Sequence, residues 1–355
     1  MRTRIKNILA LSLPVQILLI GWASAHPAWV ERWYSRGLYP WISRFFRTLY
    51  GWIPFSVGDL LYGLLLVAAL VLLWKRRHRI RRQFLGFLRD LVAGFAVIHA
   101  TFYLLWGLNY FREPLSSQLG LDEAYTQAEL IRFCESLTIQ VNEMQSELAG
   151  DSLTPVHVPY SRSEILDKTL EGYMELANRY PQFRYVTPSL KKSLMSTLLT
   201  YMGYGGYLNP FTGEAQVNAR LPEFRFPVVC GHEVGHQLGY SAENETNFIG
   251  YLVTLNHSDP YFRYSASAYA LSYSLGELDR RDPEARKEIA RKLNPGVRAN
   301  YEELQAFWEA FQNPMEPVFK AIFNRYLEAN RQQDGIASYN RVVSLMIAFH
   351  RSAAP

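Results

Sequence analysis

Three long apolar segments near the start of the sequence limit what this chain can fold into. They run from about residue 7 to 25, from 55 to 74 and from 91 to 110. Each is close to the ~20 residues that a helix needs to cross ~30 Å of hydrocarbon. Only 19% of the residues are charged, against roughly 25% in an average soluble domain. The sequence therefore predicts a membrane region over residues 1–111 and a second domain over residues 112–355.

A basic cluster separates the second apolar segment from the third. Six of the eight residues from Lys75 to Arg82 are Lys or Arg, which is typical of a cytoplasmic turn between membrane helices. This orientation places the chain after Tyr110 outside the cytoplasmic membrane. The loop from His26 to Pro54 carries four arginines and weakens the charge asymmetry. Because the basic residues cluster beside apolar segments, we interpret the net charge of +5 as a membrane feature and expect no nucleic-acid partner.

The first apolar segment has two interpretations. It follows the basic leader Met1–Lys6, and Ala23-Ser24-Ala25 resembles an A-x-A cleavage site, so it is either a transmembrane helix or a signal peptide. Both alternatives leave the orientation of the second and third segments unchanged.

The remainder of the chain has a mainly helical pattern. Thr126 and Glu129 form a capping box that opens a helix closed by Gly150. We interpret the apolar stripes of the further amphipathic segments as core packing. These segments cover residues 163–179, 188–202, 260–278, 282–293, 301–311, 317–329 and 336–351.

One stretch departs from this helical pattern. The segment from Tyr204 to Gly213 is rich in turn-forming residues, and Glu214–Arg220 alternates like a short strand. A strand just before a catalytic helix can hold an extended substrate by edge pairing. A surface hairpin explains the same pattern, and the sequence leaves both alternatives open.

The motif that carries chemistry is His232-Glu233-Val234-Gly235-His236. On a helix, His232 and His236 lie one turn apart on the same face and can bind one zinc ion, while Glu233 can take a proton from the water that zinc activates. Pro227 suits the start of such a helix, and Gly239 suits its end. A bare motif of this kind arises by chance, so its context decides.

A catalytic zinc site needs a third protein ligand, and the segment after the motif supplies two candidates. Here the sequence resembles the gluzincin metallopeptidases, whose third-ligand helix reads Glu-x-x-x-Asp. Glu243 and Asn247 occupy those two places, so the resemblance implies Glu243 as ligand and the neutral carbonyl of Asn247 as the partner of a zinc histidine. Glu245 is the alternative third ligand, although the residue four positions on is Ile249. A strict metzincin is excluded, because Ala242 stands where its third histidine would be.

Most of the chain also resembles a bacterial membrane-protein family, domain of unknown function 3810. The resemblance is carried by the three apolar segments and by the stretches Asn209–Glu214, Gly231–Gly239 and Glu243–Phe248. It implies a fold and a metal chemistry, but no substrate.

The other candidate residues give weaker signals. With two cysteines and no CxxC pair, neither a disulfide framework nor a cysteine zinc ribbon is expected. Cys134 and Cys230 are either one disulfide or two buried thiols, and we expect Cys230 to pack in the core rather than bind zinc. His99 in the third apolar segment suits helix packing, and Tyr269 or Tyr273 could stabilise an oxyanion.

Together these features predict a mainly α protein, with N-terminal transmembrane helices followed by a zincin-like helical domain that contains a small β-sheet. We expect a membrane-anchored zinc metallopeptidase that uses Zn²⁺ and Glu233 to hydrolyse a peptide or protein substrate outside the cytoplasmic membrane. The alternative is a membrane sensor with a metallopeptidase-like domain. The sequence makes no prediction about oligomeric state.

Overall fold

The first part of the chain is a set of helices that includes three long apolar ones. The computed structural model describes residues 3–332 and 341–353, except for the side chains of residues 79–81 and 353. Its first helices are α1 (Thr3–Ser24), α2 (Pro27–Trp29), α3 (Tyr39–Tyr50), α4 (Val57–Arg82) and α5 (Phe84–Leu105), with a π-helix at Val30–Leu38. Of these, α1, α5 and the Val57–His78 part of α4 are long and apolar enough to cross a membrane, as the sequence predicts.

The ends of the second and third apolar helices differ from the prediction. The basic cluster Lys75–Arg82 forms the last turns of α4 rather than a loop, and the chain reverses at Gln83. The third helix ends at Leu105 instead of Tyr110, and the ring of Phe102 fills the space beside Gly107. A Cβ atom on Gly107 would lie 2.4 Å from that ring, and the chain continues as a 3-10 helix.

The segment between α1 and α4 is folded onto the rest of the chain. Its π-helix carries Glu31, whose carboxylate pairs with the guanidinium of Arg112 at 2.9 Å. On α3, Tyr39 and Ser43 donate hydrogen bonds to the carbonyl oxygen of Gln237 at 3.0 Å each. Contacts therefore cross the expected boundary at residue 112, and the division into two domains stays a prediction.

The second part of the chain is helical, as expected. The capping box of Thr126 and Glu129 is present, and Gly150 ends that helix in the left-handed conformation, with φ 81°. A shared hydrophobic core links most of these helices. They are α6 (Leu115–Leu119), α7 (Gln127–Ala149), α8 (Arg162–Arg179), α9 (Ser196–Met202), α10 (Phe226–Gln237), α11 (Glu243–Leu255), α12 (Pro260–Arg281), α13 (Pro283–Arg291), α14 (Pro295–Glu309), α15 (Glu316–Ala329) and α16 (Val342–Ala353).

The prediction of one helix in this part of the chain is only partly confirmed. Residues 188–202 were expected to be helical, but Leu190–Lys192 is strand β1 and the helix begins only at Ser196. Leu190, Leu194 and Leu198 have helical spacing, yet the last two are exposed, so their periodicity does not report a buried helical face. The predicted helix over residues 336–351 begins partly outside the described residues, and its described part begins at Val342.

A small sheet lies beside the motif helix. Its strand order is β1-β3-β2, with β2 at Gly206–Asn209 and β3 at Glu214–Val217. β1 is parallel to β3, and β2 is antiparallel to it, with Gly206 opposite Val217. Every residue of β3 is buried, so the predicted strand is the centre of the sheet, while β2 is an edge strand. The fold is mainly α with a small β-sheet, as expected.

Candidate metal centre

The helix α10 carries the His-Glu-x-x-His motif. Pro227 lies in its first turn, where the missing N–H group costs no helical hydrogen bond. Gly239 follows the helix with φ 86°, a conformation that favours glycine. Both features match the sequence prediction, and they fix the length of α10 so that the motif occupies its last two turns.

Two glycines let α11 approach α10 closely. Gly231 on α10 faces Gly250 on α11, and a Cβ on Gly231 would lie 3.0 Å from the Cα of Gly250. A Cβ on Gly250 would lie only 2.6 Å from the carbonyl oxygen of Val228. Since the backbones nearly touch here, the first turn of α11 lies directly beside the two motif histidines.

Each motif histidine is oriented through its Nδ1 atom. His232 Nδ1 is 2.9 Å from Asn247 Oδ1, and His236 Nδ1 is 2.8 Å from the carbonyl oxygen of Tyr240. Because both partners are acceptors, each Nδ1 carries the proton and each Nε2 keeps its lone pair. Asn247 therefore lies where the resemblance to gluzincins implies, and it selects the tautomer of His232 that can bind a metal.

The two candidate third ligands point to different places. Glu243 Oε2 lies 3.4 Å from His232 Nε2 and 3.8 Å from His236 Nε2. Glu245 Oε1 instead accepts a hydrogen bond of 2.7 Å from the backbone N–H of Leu115. Burial raises the pKa of Glu245 to about 7, although that hydrogen bond opposes the change. The geometry thus brings Glu243, and not Glu245, to the two imidazoles.

Glu233 completes the cluster. One ligand atom each from His232, Glu233 and His236 lies within 4.8 Å of the others. The Glu233 side chain is buried, and its Oε2 atom accepts no hydrogen bond from any described residue. Burial raises the pKa of Glu233 to about 8; the charge of Glu243 adds to this, and His232 opposes it.

The charges of the cluster suit a divalent cation. Burial lowers the pKa of His236 to about 4, so this imidazole is neutral. Burial also lowers the pKa of His232, but the neighbouring carboxylates of Glu243 and Glu233 outweigh it and raise the pKa overall. Glu233 and Glu243 thus place two buried carboxyl groups beside the two imidazoles, and two imidazoles with one carboxylate form a common donor set for zinc.

A cleft of about 690 Å³ opens over this cluster. The edge strand β2 forms one wall, and it approaches Glu233 so closely that a Cβ on Gly206 would lie 2.5 Å from Glu233 Oε1. Tyr269 and Tyr273 line the cleft as well, with their rings 4.7 Å apart. The guanidinium of Arg225 lies 4.1 Å from the centre of the Tyr269 ring.

Residues from the membrane-proximal part support the end of α10. Trp106 Nε1 donates to the carbonyl oxygen of His236 at 3.1 Å, and the two rings are in edge contact at 5.9 Å. Arg112 donates to the carbonyl oxygen of Gly239 at 2.9 Å. With the contacts from α3, these donors satisfy backbone oxygens that the helix end leaves without helical partners. These contacts could not be predicted from the sequence, because no local motif marks a residue that binds a distant carbonyl.

The remaining candidates lie outside the cluster. Cys134 and Cys230 are buried free thiols, which decides between the two sequence alternatives. Cys230 packs in a hydrophobic cluster rather than in the group of candidate metal ligands, as expected. His99 Nδ1 lies 2.9 Å from Gln16 Oε1, so it joins α5 to α1, in line with a packing role.

Comparison with known proteins assigns the chain to a family. The family model described as "Protein of unknown function (DUF3810)" matches residues 34–347. The chain belongs to this family. The DUF3810 match includes α3, α4, α5 and all residues of the candidate metal centre. Comparison with curated proteins and with solved structures gave no significant match.

Proposed function

We propose that this DUF3810 protein is a membrane-anchored, zinc-dependent peptidase. The observation that carries the proposal is the convergence of His232 Nε2, His236 Nε2 and Glu243 Oε2 beside the buried carboxylate of Glu233. Three protein ligands with an open side are typical of catalytic rather than structural zinc. The cleft above them is large enough for several residues of an extended peptide.

Each residue has a separate role in this proposal. His232, His236 and Glu243 would hold Zn²⁺, with Asn247 and the carbonyl of Tyr240 keeping the imidazoles in the binding tautomer. Zinc at this position supplies Lewis-acid polarisation of a carbonyl group and lowers the pKa of water. Glu233 takes a proton from the attacking water on its carboxylate and delivers it to the leaving amine.

Two further features suit a peptide substrate. As an edge strand, β2 offers unpaired backbone groups on one side, and an extended peptide can pair with them. This favours the substrate-edge interpretation of the Tyr204–Gly213 region. Tyr269, buried in the cleft wall, is a candidate hydrogen-bond donor to a developing oxyanion.

The proposed location follows from the charges at the end of α4. Its basic cluster would remain in the cytoplasm, and the opposite ends of α4 and α5 would then face outward. The metal centre lies on the side of those outward ends, because Trp106 directly follows α5. We therefore propose an extracytoplasmic active site.

The test uses the full-length protein in detergent. Bound zinc is measured by mass spectrometry, and cleavage of casein and of a fluorogenic peptide pool is followed. Wild type should bind one zinc per chain and cleave, and Glu233→Gln should bind zinc without cleaving. The isosteric pair Glu243→Gln and Glu245→Gln distinguishes the ligands, since only the first should lose zinc. Wild-type protein without metal, or activity retained by Glu233→Gln, would overturn the proposal.

A further inference from the structure

The edge strand β2 connects the metal centre to the first turn of α4. Gly206, at one end of β2, contacts Glu233, and Asn209, at the other end, packs on Gly58. A Cβ on Gly58 would lie 2.5 Å from Asn209 Nδ2. Between them, the Tyr207 hydroxyl donates a hydrogen bond to the Asp59 carboxylate. Three steps of extended chain cover about 10 Å, so a peptide paired with β2 would reach from the metal centre to the end of an apolar helix.

The apolar helices also form part of the cleft wall. Tyr62, Phe102 and Trp106 line the cleft together with His232 and Glu243. Tyr62 belongs to the second turn of α4 and Phe102 to the last turn of α5, and both lie within the stretches that are apolar enough to cross a membrane. The cleft is therefore at the level where these helices would leave the bilayer.

An exposed apolar rim continues from this wall. Among the described residues after 112, ten large apolar side chains are exposed, and six of them lie on two segments that pack together, the α9 region and α15. The backbone N–H of Leu194 bonds to Asp59 Oδ2 at 2.7 Å, which places the rim beside the first turn of α4. The rim consists of Leu194, Leu198, Tyr201, Met315, Val318 and Ile322.

A second apolar surface lies on α3. Its buried face holds Tyr39 and Ser43 against α10, while Trp41 (72% exposed), Phe45 (63%) and Leu49 (46%) point outward at helical spacing. Trp52, just after the helix, is 79% exposed. In the chain, α3 lies between the end of α1 and the beginning of α4. It is therefore held near the plane at which both of these apolar helices would leave the bilayer. Aromatic residues in such a position are typical of a membrane interface.

We propose that the rim and the outward face of α3 lie in the outer headgroup layer, so that the cleft opens at the bilayer surface and takes a membrane-tethered polypeptide. The cleaved bond would lie within roughly five residues of the substrate's membrane anchor, given about 3.3 Å per extended residue. The substrate assignment rests on the proposed peptidase function, whereas the membrane contact does not.

The membrane contact can be measured without any activity. Since Cys134 and Cys230 are buried, a cysteine introduced by Val318→Cys or Ile322→Cys in the full chain is an accessible thiol for bimane labelling. In phosphatidylglycerol-containing nanodiscs, brominated lipids should quench both labels. The matched control is Ile139→Cys on α7, which is 59% exposed and belongs to neither apolar surface. Quenching no stronger at the rim than at residue 139 would overturn the membrane contact.

The substrate assignment is tested with one fluorogenic peptide pool in two forms. One form is free, and the other carries a hexadecyl anchor close to the peptide in vesicles of the same lipid. Tethering near the cleft should raise kcat/KM about tenfold or more, and moving the anchor 20 residues away should remove most of that gain.

A double variant of the rim tests the same assignment from the enzyme side. In Val318→Asn/Ile322→Asn, the gain in kcat/KM that tethering gives should fall while free-peptide cleavage is unchanged. Equal rates for free and anchored peptide would overturn the substrate assignment alone, and cleavage of neither by zinc-loaded protein would overturn the peptidase function with it.

Discussion

The indole N–H of Trp106, just after α5, donates to the carbonyl oxygen of the motif residue His236 at 3.1 Å. The residue that caps α5 thus also bonds to the last turn of α10, the helix that carries the His-Glu-x-x-His motif. Trp106→Phe keeps an aromatic ring but removes the donor and part of the buried indole, so it should lower stability by at least about 1 kcal/mol and weaken zinc binding measured by chelator competition. Trp52→Phe, at an exposed tryptophan, is the control and should change neither property.

The carbonyl of Asn247 should matter for metal affinity. Asn247→Ala removes the acceptor that orients His232, and loss of such a partner typically costs about 10–100-fold in metal affinity. Asn247→Asp should restore binding, since a carboxylate accepts the same hydrogen bond. Asn256, which caps the end of the same helix, donates its side-chain amide to the backbone oxygen of Leu252 one turn away, and Asn256→Ala should keep wild-type affinity. Equal affinities of the two alanine variants would contradict the role given to Asn247.

Because β2 lies so close to Glu233, we predict that alanine substitutions at two adjacent glycines differ sharply in their effect on the cleavage rate. Gly206→Ala would place a methyl group 2.5 Å from Glu233 Oε1 and 2.6 Å from the carbonyl oxygen of Gln216. It should displace both the proposed base and β2, so kcat should fall by about 100-fold while zinc is retained. Gly205→Ala meets nothing closer than the Val229 side chain at 3.3 Å and should cleave almost normally. Similar rates for both variants would argue against Glu233 as the base.

A buried ion pair ties the sheet to α4. Lys191 Nζ lies 2.5 Å from Glu214 Oε1, and the same carboxylate accepts the backbone N–H groups of Val57 and Gly58. Glu214→Gln leaves the lysine buried without its charge partner, so it should cost about 3 kcal/mol or more, seen as a lower unfolding midpoint in detergent. At the exposed pair of Glu284 and Lys287, Glu284→Gln should shift the midpoint little. Equal shifts would show that the buried pair contributes no more than a surface one.

The proposed orientation can be tested on intact cells. Because both native cysteines are buried, a membrane-impermeant maleimide should label Glu302→Cys on α14 from outside. His78→Cys at the basic end of α4 should react only after the membrane is permeabilised. The reverse pattern would place the metal centre in the cytoplasm.

The local part of this structure could be predicted from sequence. The motif histidines, Glu243 and Asn247 lie within two short helices, and helical periodicity is enough to place each pair on one face of its own helix. The capping box at Thr126 and the end at Gly239 depend on a few neighbouring residues. The three apolar helices are also local features, because a run of apolar residues is enough to recognise each of them.

The supporting contacts depend on residues far apart in the chain. Trp106 and His236 are separated by 130 positions, and Ser43 and Gln237 by 194, so no window of sequence contains both partners. Strand β1 lies in a stretch whose pattern predicts a helix, because Leu190, Leu194 and Leu198 repeat at helical spacing. The last two are exposed on the rim beside α4, and their apolar character therefore does not mark a buried helix face.

The donors at the end of α10 also bear on biosynthesis. Tyr39, Ser43 and Trp106 are all made before α10, but they reach its last turn only when the apolar helices are in their final arrangement. A newly made chain that is still in the cytoplasm would therefore hold the two motif histidines on a helix with an unsupported end. If the protein is the proposed peptidase, folding of its metal site and delivery to the membrane would then be a single event, which would protect the cytoplasm from premature proteolysis.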